Sequence, residues 1–442
     1  MSEQQNTEYK QNWRDEYLKW ICGFANAQGG KIFIGIDDDG NTVGVADYKR
    51  QLEDIPNKVK DILGIIVDVN LLTKEDKPVI EIIVDPYPYP VNYKGQYHYR
   101  SGSTKQELKG AALNKFLLGK TGLHWDAITV PAISVSDLKR DSFIRYKEKA
   151  VKSKRVDEEV LNDSDELLLH DLHLLENGLL KKAAILMFHP NPEKYISGAY
   201  IKIGFFHTDD DLAFQDEVHG NLVEQIDKAE DLLRTKYATY AITYSGISRI
   251  EKPPFPEKAI REALLNAIAH KDYSAGIPIQ ISVYSDHIIF WNPGQLPDNW
   301  KEEDLMVKHP SRPHNPDIAN ALFRSGDIEA WGRGTIKMIR ESIIHKTLPP
   351  EFDFRFTGCM VTFFKDARSA LTNKGITSNL ITVVEYVLEN GEITNSAVQT
   401  LLKISKRTAT RYLTELDGTY LDRKGETGKG TTYVIKGLPK GT

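Results

Sequence analysis

The sequence has few cysteines and no excess of charge of one sign. Its two cysteines, Cys22 and Cys359, lie far apart and outside any metal-ligand spacing, which excludes a disulfide framework. Its 442 residues include 57 Lys and Arg against 62 Asp and Glu, and the net charge is −5. This balance excludes a chain that binds nucleic acid as a uniform polycation, so any such binding must use a local basic patch.

Long apolar runs are also missing. No stretch approaches the roughly 18 apolar residues that a membrane-spanning helix needs, and the start MSEQQNTEYKQNW has no signal-peptide pattern. We therefore expect no membrane partner and a cytoplasmic protein. A complete P-loop is absent too: Leu118–Thr121 reads Leu-Gly-Lys-Thr, but Asn114 stands where the first glycine belongs. We interpret that segment as a surface turn, which argues against a P-loop motor helicase.

The chain has the composition and length of a folded protein with several domains. Hydrophobic residues make up 40% and charged residues 27%, which is typical of globular proteins, and the length favours about three domains. The predicted elements indicate an α+β multidomain protein with four regions. These regions are 1–125, a middle segment of unknown role at 126–250, 251–366 and 375–442.

Several element predictions are specific enough to test. In the first region, strand Lys31–Ile36, a turn at Asp37–Asn41 and strand Thr42–Val45 form a hairpin. In the middle segment, Ala183–Phe188 is predicted as a strand and Leu222–Tyr237 as a long helix. In the last region, Thr394 and Ser405 are predicted to cap two helices that end near Leu402 and Leu416.

A helix in the third region carries both an apolar face and a polar row. The apolar face is formed at helical spacing by Ile260, Leu264, Ala267 and Ile268. Glu262, Asn266 and His270 lie four residues apart and form the polar row. A Glu that polarises water and an Asn that ligates a hard cation suit hydrolysis of a nucleoside triphosphate with Mg²⁺. The alternative is a solvated stripe on an amphipathic helix.

Three further blocks follow that helix in order. They are Ile289–Pro297 with Asn292 and Gly294, His309–Pro316 with Ser311 and Arg312, and Trp331–Thr335 with Gly332, Gly334 and Thr335. Glycines let backbone N–H groups approach phosphate oxygens, and Gly334 opens a helix whose N-terminus favours anions. The alternative is that each glycine only forms a turn.

Together these blocks resemble the GHKL ATPases (gyrase, Hsp90, histidine kinase and MutL type), in the variant of bacterial RecG-like proteins and transcriptional regulators. The resemblance implies a GHKL-type α/β sandwich with ATP and Mg²⁺ as cofactors, Glu262 as general base and Asn266 as Mg²⁺ ligand. The nucleotide-binding residues would be Asn266, His270, Asn292, Gly294, Ser311, Arg312, Gly332, Gly334 and Thr335. The family's adenine-reading Asp-x-Gly-x-Gly is Asn292-x-Gly294-x-Leu296 here, so binding without fast hydrolysis is one expectation.

The first region resembles the Schlafen/AlbA-like DNA-binding domain, through Glu8–Lys10, Phe24–Asp38 and Tyr99–Ser103. Some relatives cleave RNA with acidic residues, and Glu3, Glu8 and Asp37 are the candidates for a metal-dependent nuclease site. We favour the alternative, in which Glu8 pairs with a basic neighbour and Asp37 shapes the hairpin. Residues 1–125 hold 16 Lys and Arg against 17 Asp and Glu, so the nucleic-acid role follows from the resemblance only.

The last region is a candidate winged helix-turn-helix. Ala409, Tyr412, Leu413 and Leu416 would face inward on its third helix. The DNA-binding candidates are Lys406, Arg407, Thr410 and Arg411 on that helix, with Arg423, Lys424 and Lys429 on the wing. Residues 403–442 hold nine Lys and Arg against four Asp and Glu. The alternative is a protein-interaction module or a solvated basic face.

These expectations combine into an ATP-binding, DNA-binding transcriptional regulator that is consistent with a homodimer. Nucleotide with Mg²⁺ would order the loop Ser311–Asn315 and change DNA binding. The alternatives are a nucleic-acid-processing ATPase, an N-terminal RNase, and a scaffold with a degenerate nucleotide site.

Overall fold

The computed structural model describes residues 5–37, 39–238, 241–245, 248–297, 300–329, 332–425 and 430–437. The chain forms two compact units, Met1–His124 and Trp125–Thr442. No helix in these described ranges has the length and apolar character needed to cross a membrane.

The first unit is built on a mixed four-stranded sheet of order β1–β2–β4–β3, and a separate hairpin is formed by β5 and β6. Its strands are β1 (Thr7–Lys10), β2 (Gly30–Ile34), β3 (Asp68–Lys74), β4 (Lys77–Val84), β5 (His98–Ser101) and β6 (Thr104–Glu107). Its helices are α1 (Leu18–Asn26), α2 (Tyr48–Leu63) and α3 (Gly110–Thr121). Strand β1 is parallel to β2, and the other neighbours are antiparallel. Ile21 and Phe24 of α1 join Ile55 of α2 and the sheet in one core.

The predicted hairpin after β2 is wrong. Ile36 and Thr42 form only an isolated bridge, and Val45 N donates to Pro78 O. Strand β2 has β1 on one edge and β4 on the other, so neither edge is left for Thr42–Val45. The P-loop-like segment is likewise the last turn of α3 rather than a surface turn, since that helix runs to Thr121.

The second unit contains a six-stranded sheet of order β11–β10–β14–β15–β17–β16. Up to Phe364, the strands of this unit, inside and outside that sheet, are β7 (Thr129–Val130), β8 (Leu175–Glu176), β9 (Leu179–Lys181), β10 (Ile201–Thr208), β11 (Asp211–Val218), β12 (Ala241–Ser245), β13 (Ser248–Lys252), β14 (Ile279–Val283), β15 (His287–Pro293), β16 (Glu351–Asp353) and β17 (Gly358–Phe364). The helices are α4 (Arg140–Lys152), α5 (Asp165–Asp171), α6 (Lys182–Phe188), α7 (Leu222–Leu232), α8 (Glu257–His270), α9 (Pro316–Arg324) and α10 (Gly334–Ile344).

The middle segment shares this sheet with the third region. Strand β10 pairs parallel with β14, as in Ile203 opposite Ile281, and residues of both regions belong to one buried core. The predicted strand Ala183–Phe188 is wrong, because these residues lie in helix α6 and all are buried. A short apolar run carries no period that separates a buried strand from a buried helix. The long helix is present, as α7 followed by a π-helical turn at Leu233–Tyr237.

The last part of the chain forms a helical cluster with a small three-stranded sheet of order β18–β20–β19. Its elements are α11 (Ala367–Asn373), α12 (Ser378–Asn390), β18 (Glu392–Thr394), α13 (Asn395–Leu402), α14 (Lys406–Leu416), β19 (Leu421–Lys424) and β20 (Thr432–Ile435). The predicted caps are confirmed: Thr394 accepts from Ala397 N and Ser405 from Thr408 N. The core of this part includes Leu348 and Phe364, which attaches it to the end of β17.

Candidate functional site

The polar row of α8 faces a cleft with a water-accessible volume of about 150 Å³. The lining includes every nucleotide-site residue predicted from the sequence: Glu262, Asn266, His270, Asn292, Gly294, Ser311, Arg312, Gly332, Gly334 and Thr335. Trp331, from the same motif as Gly332, lies outside the described residues. The fold therefore brings blocks that are separated in sequence around one space.

Two glycines allow these blocks to touch. A Cβ on Gly334 would lie 2.5 Å from Glu262 Oε1 and 3.0 Å from Asn266 Nδ2, so glycine lets α10 start against α8 without displacing these side chains. Gly332 has φ +60°, and a Cβ there would lie 2.1 Å from His309 O. Gly332 therefore has no room for a side chain, and a side chain on Gly334 would displace Glu262 and Asn266, so both glycines do more than form turns. The close approach of α10 to α8 places an uncapped helix N-terminus beside the polar row.

Glu262 is 4% exposed, and its carboxylate is paired. Lys337 Nζ lies 3.2 Å from Glu262 Oε2 and 3.6 Å from Glu329 Oε1. Sequence reasoning missed Lys337. Its spacing from Gly334 puts both on one side of α10, but nothing local in the sequence indicates the distant carboxylate. The arrangement holds an acid at the edge of the cleft with a cation next to it.

His270 contributes an uncharged ring. Its surface is open to the cleft, but the surrounding protein removes much of the ring's hydration. This desolvation, with His314 and His309 nearby, lowers the pKa of His270 to about 4. At neutral pH the imidazole therefore serves as a hydrogen-bonding group rather than as a cation.

Asn292 lies deep in the cleft and is 4% exposed. Its Nδ2 donates to Pro293 O at 3.1 Å, which turns the amide oxygen away from that carbonyl. Phe290 lies on the same strand as Asn292 and pairs with Val361, and both line the cleft, as do Leu296 and Met338. A flat, mostly apolar ring with one amino donor is the kind of group that such a lining accommodates.

The loop from His309 to Asn315 is fixed at both ends. His309 Nε2 lies 3.2 Å from Thr335 Oγ1. Asn315 is fully buried, and its Nδ2 donates to Ala269 O at 3.1 Å and Lys271 O at 2.7 Å. Ser311 and Arg312 between them are exposed, so the loop lies along the cleft with two anchored ends.

Helix α9, which follows this loop, is capped by a buried carboxylate from the start of the second unit. Asp126 Oδ2 accepts from Asp317 N at 2.8 Å and from Ile318 N at 3.1 Å. Asp126 is fully buried, and desolvation raises its pKa from 3.8 to about 6. This contact, which the sequence did not indicate, ties the end of the loop to the chain segment that enters the unit.

Among the described residues, no group of three or more His, Cys, Asp or Glu side chains is placed to hold a metal ion. Asn266 presents an amide oxygen beside the start of α10. Mg²⁺ commonly uses one or two protein ligands and completes its shell with water and substrate phosphates. The residues present therefore fit a Mg²⁺ that arrives with a nucleotide, held on the protein side by Asn266.

The acidic candidates of the first unit have structural partners. Glu8 is paired with Arg100 at 2.7 Å and Lys10 at 2.6 Å. Asp37 accepts from Asn41 Nδ2 at 3.1 Å and from Asn41 N at 2.7 Å, and these bonds lower the pKa of Asp37. Glu3 and Asp38 lie outside the described residues. Glu8 thus has the basic neighbours that the non-catalytic alternative predicts, whereas Asp37 bonds within a turn and not within the predicted hairpin.

The basic candidates of the last region lie on its surface. Exposed positions are Lys406, Arg407, Thr410 and Arg411 on α14 and Arg423 and Lys424 on β19, while Lys429 lies outside the described residues. Ala409, Leu413 and Leu416 face the core, and Tyr412 is half-buried and packs against it. The Thr410 hydroxyl already accepts from Asn395 Nδ2 at 2.9 Å, so the arginines are the stronger candidates for an external contact.

Comparison with known families accounts for two parts of this architecture. Residues 3–109 match the family model described as "Schlafen, AlbA_2". Residues 276–363 match the model described as "Putative ATP-dependent DNA helicase recG C-terminal". The chain thus has an N-terminal Schlafen AlbA_2 domain followed by a RecG-related region, which confirms the resemblance seen in the sequence. Helix α8 lies before the second match, so the assignment of its residues depends on geometry.

Solved structures add a comparison over nearly the whole chain. The DIP2311 protein from Corynebacterium diphtheriae is 18% identical, with a TM-score of 0.50, over 98% of this chain and 92% of that one. This similarity concerns the fold. The N-terminal domain of a RecG-related protein from Nitrosomonas europaea is 22% identical over 24% of this chain and 83% of that domain, with a TM-score of 0.18. No curated protein matched the chain.

Proposed function

We propose that this chain is an ATP-binding, DNA-binding transcriptional regulator, in which nucleotide with Mg²⁺ in the cleft changes DNA binding. One observation carries the proposal: the ten residues predicted from separate sequence blocks line one cleft. The family description for residues 276–363 names an ATP-dependent protein, which supports ATP as the ligand. In this proposal residues 251–366 form a GHKL-type ATP-binding domain, completed by β10 and β11 of the segment 126–250. Residues 1–125 are the AlbA-like domain and 375–442 the winged helix.

The two ends of the cleft suggest how a nucleotide would lie. The base would occupy the apolar end, with its amino group donating to Asn292. The phosphates would meet the N-terminus of α10, where backbone N–H groups and the helix dipole favour anions. Mg²⁺, when bound, would offset phosphate charge next to Asn266. Glu262 would accept a proton from an attacking water, and Ser311 and Arg312 would close over the phosphates.

Helix α10 offers a route from the cleft to the last region. Its first residues, Gly334 and Thr335, line the cleft. At its other end Ile343 packs against the core of the last region, and Lys346 Nζ donates to Leu388 O at 2.9 Å. A helix moves as a rigid rod, so a shift at the phosphate end would reach the base of the winged helix.

The last region would bind DNA through α14. A three-residue turn separates α13 from α14, as in helix-turn-helix proteins, where the second helix enters the major groove. Arg407 and Arg411 would then contact DNA from the open side of α14, with Arg423 and Lys424 on phosphates. Two half-sites and a homodimer would follow from the same geometry.

The first experiment is calorimetry of ATP binding with and without Mg²⁺. We expect Asn266→Ala to weaken binding about tenfold or more with Mg²⁺ and little without it, because a metal ligand is lost. Asn320→Ala is the matched control, since Asn320 lies on α9 and bonds to Leu172 O. Equal affinities of wild type and Asn266→Ala with Mg²⁺ would remove the metal assignment, and no binding at all would favour the scaffold alternative.

The second experiment is fluorescence anisotropy with a random-sequence DNA duplex, with and without ATP and Mg²⁺. Arg407→Ala and Arg411→Ala should each weaken DNA binding. Each should also make the negative slope of log K against log salt less steep by about one. Arg368→Ala is the control, because Arg368 is exposed in the same region but paired with Glu385. An equal loss in the control, or binding that nucleotide leaves unchanged, contradicts the proposed regulation.

A nucleic-acid-processing ATPase is the second candidate, and the position of Glu262 beside the start of α10 favours it. Multiple turnover of ATP that nucleic acid stimulates and that Glu262→Ala abolishes would support this function. Binding without turnover would leave the regulator as the better account.

A further inference from the structure

The pairing of Glu262 with Lys337 answers an electrostatic problem in the cleft. Glu262 lines the space where phosphates would lie, and a nearly buried carboxylate repels a polyphosphate strongly because few water molecules screen it. Lys337 Nζ lies 3.2 Å from this carboxylate. Lys337 itself is not among the residues that line the cleft, and its side chain is 25% exposed.

We propose that Lys337 is the counter-ion of the Glu262 carboxylate and thereby lets the cleft accept a nucleoside triphosphate. Lys337 acts through Glu262 and makes no contact with the nucleotide, so it is a positioning residue. This inference depends on the proposed nucleotide-binding function and adds a residue that neither the sequence blocks nor the family match assigns.

The geometry separates this role from direct phosphate binding. The ammonium of Lys337 is shared between Glu262 and Glu329, and both acids, unlike Lys337, line the cleft. Both acids therefore border the ligand space, whereas Lys337 does not. In a protein site of intermediate dielectric, one uncompensated charge about 5 Å from a phosphate changes affinity by tenfold or more.

The test is a double-mutant cycle on the full chain, read as the ATP dissociation constant with Mg²⁺. We expect Lys337→Met to weaken ATP binding tenfold or more, and Lys337→Arg to keep affinity within about threefold because the charge remains. In a Glu262→Gln/Glu329→Gln background, Lys337→Met should change affinity less than about twofold, since neither of the carboxylates that pair with Lys337 is left to compensate. Circular dichroism and thermal unfolding of each variant verify that it folds.

Lys258→Met is the matched control. Lys258 joins the same two helices through Glu341 at 3.9 Å but does not line the cleft, so ATP affinity should not change. Equal losses from Lys337→Met in both backgrounds would show direct phosphate contact and overturn the inference, as would no loss in the wild-type background. A wild-type chain that binds no ATP would instead overturn the proposed function itself.

Discussion

The substitution Gly334→Ala tests the contact between α8 and α10 on which the cleft depends. The added Cβ would lie 2.5 Å from Glu262 Oε1 and 3.0 Å from Asn266 Nδ2. These side chains must move by about half an ångström or more, at a cost of roughly 1–3 kcal/mol. The helix propensity of alanine offsets up to about 1 kcal/mol of that cost, so the net effect on unfolding should stay small.

The effect on binding should be much larger than the effect on stability. If Glu262 and Asn266 have the proposed roles of general base and metal ligand, displacing both by a fraction of an ångström weakens aligned interactions about 10- to 100-fold. We expect that loss in the ATP dissociation constant measured by calorimetry with Mg²⁺. Urea unfolding of the same variant should change by less than about 2 kcal/mol.

Gly119→Ala is the control for a helical glycine that has free space. A Cβ on Gly119 meets nothing within 4 Å, so alanine should stabilise α3 by up to about 1 kcal/mol and leave ATP affinity unchanged. If Gly334→Ala binds ATP as tightly as the wild type, then Glu262 and Asn266 do not form the phosphate end of the site.

Two further predictions concern buried carboxylates. The pKa of Asp126 rises from 3.8 to about 6 on folding, so its stabilising contribution is complete below about pH 4 and is lost as the pH rises through 6. Asp126→Asn keeps an acceptor for α9, and its free energy of unfolding relative to wild type should rise by on the order of 3 kcal/mol between pH 4 and 7, measured by urea unfolding at each pH. A constant difference would mean that Asp126 does not titrate in this range. Glu8→Ala should destabilise the first unit by about 3–5 kcal/mol, because the guanidinium of Arg100, 1% exposed, loses the carboxylate that pairs with it. Unchanged stability with loss of a metal-dependent RNA cleavage would instead support the nuclease alternative.

Features with local causes could be predicted from the sequence. Thr394 and Ser405 could be predicted as helix caps because each hydroxyl accepts from a backbone N–H only three residues later in the sequence. The polar row of α8 follows from helical spacing alone. The grouping of Asn292 and Gly334 with this row came from the family resemblance, and in the structure they line the same cleft as the row.

Features that depend on distant partners could not be predicted. Nothing near Lys337 in sequence announces Glu262, and nothing near Asp126 announces the N–H groups of α9. The same limit explains the wrong hairpin, since the edge of β2 was already taken by a strand from the N-terminus. Strand β10 joins the sheet through a parallel pairing with β14. The alternation of apolar and polar residues within either strand does not reveal which strand it pairs with.

Helix α10 has one end in the cleft and the other against the last region, and this constrains its length. Inserting one residue in its middle would rotate one end against the other by about 100° and extend it by about 1.5 Å. After such an insertion either Gly334 or Lys346 would lose its present neighbours. Replacing an exposed residue of the helix, such as Arg340, leaves both ends where they are. The number of residues in this helix is therefore constrained in addition to the identities of those that make its contacts.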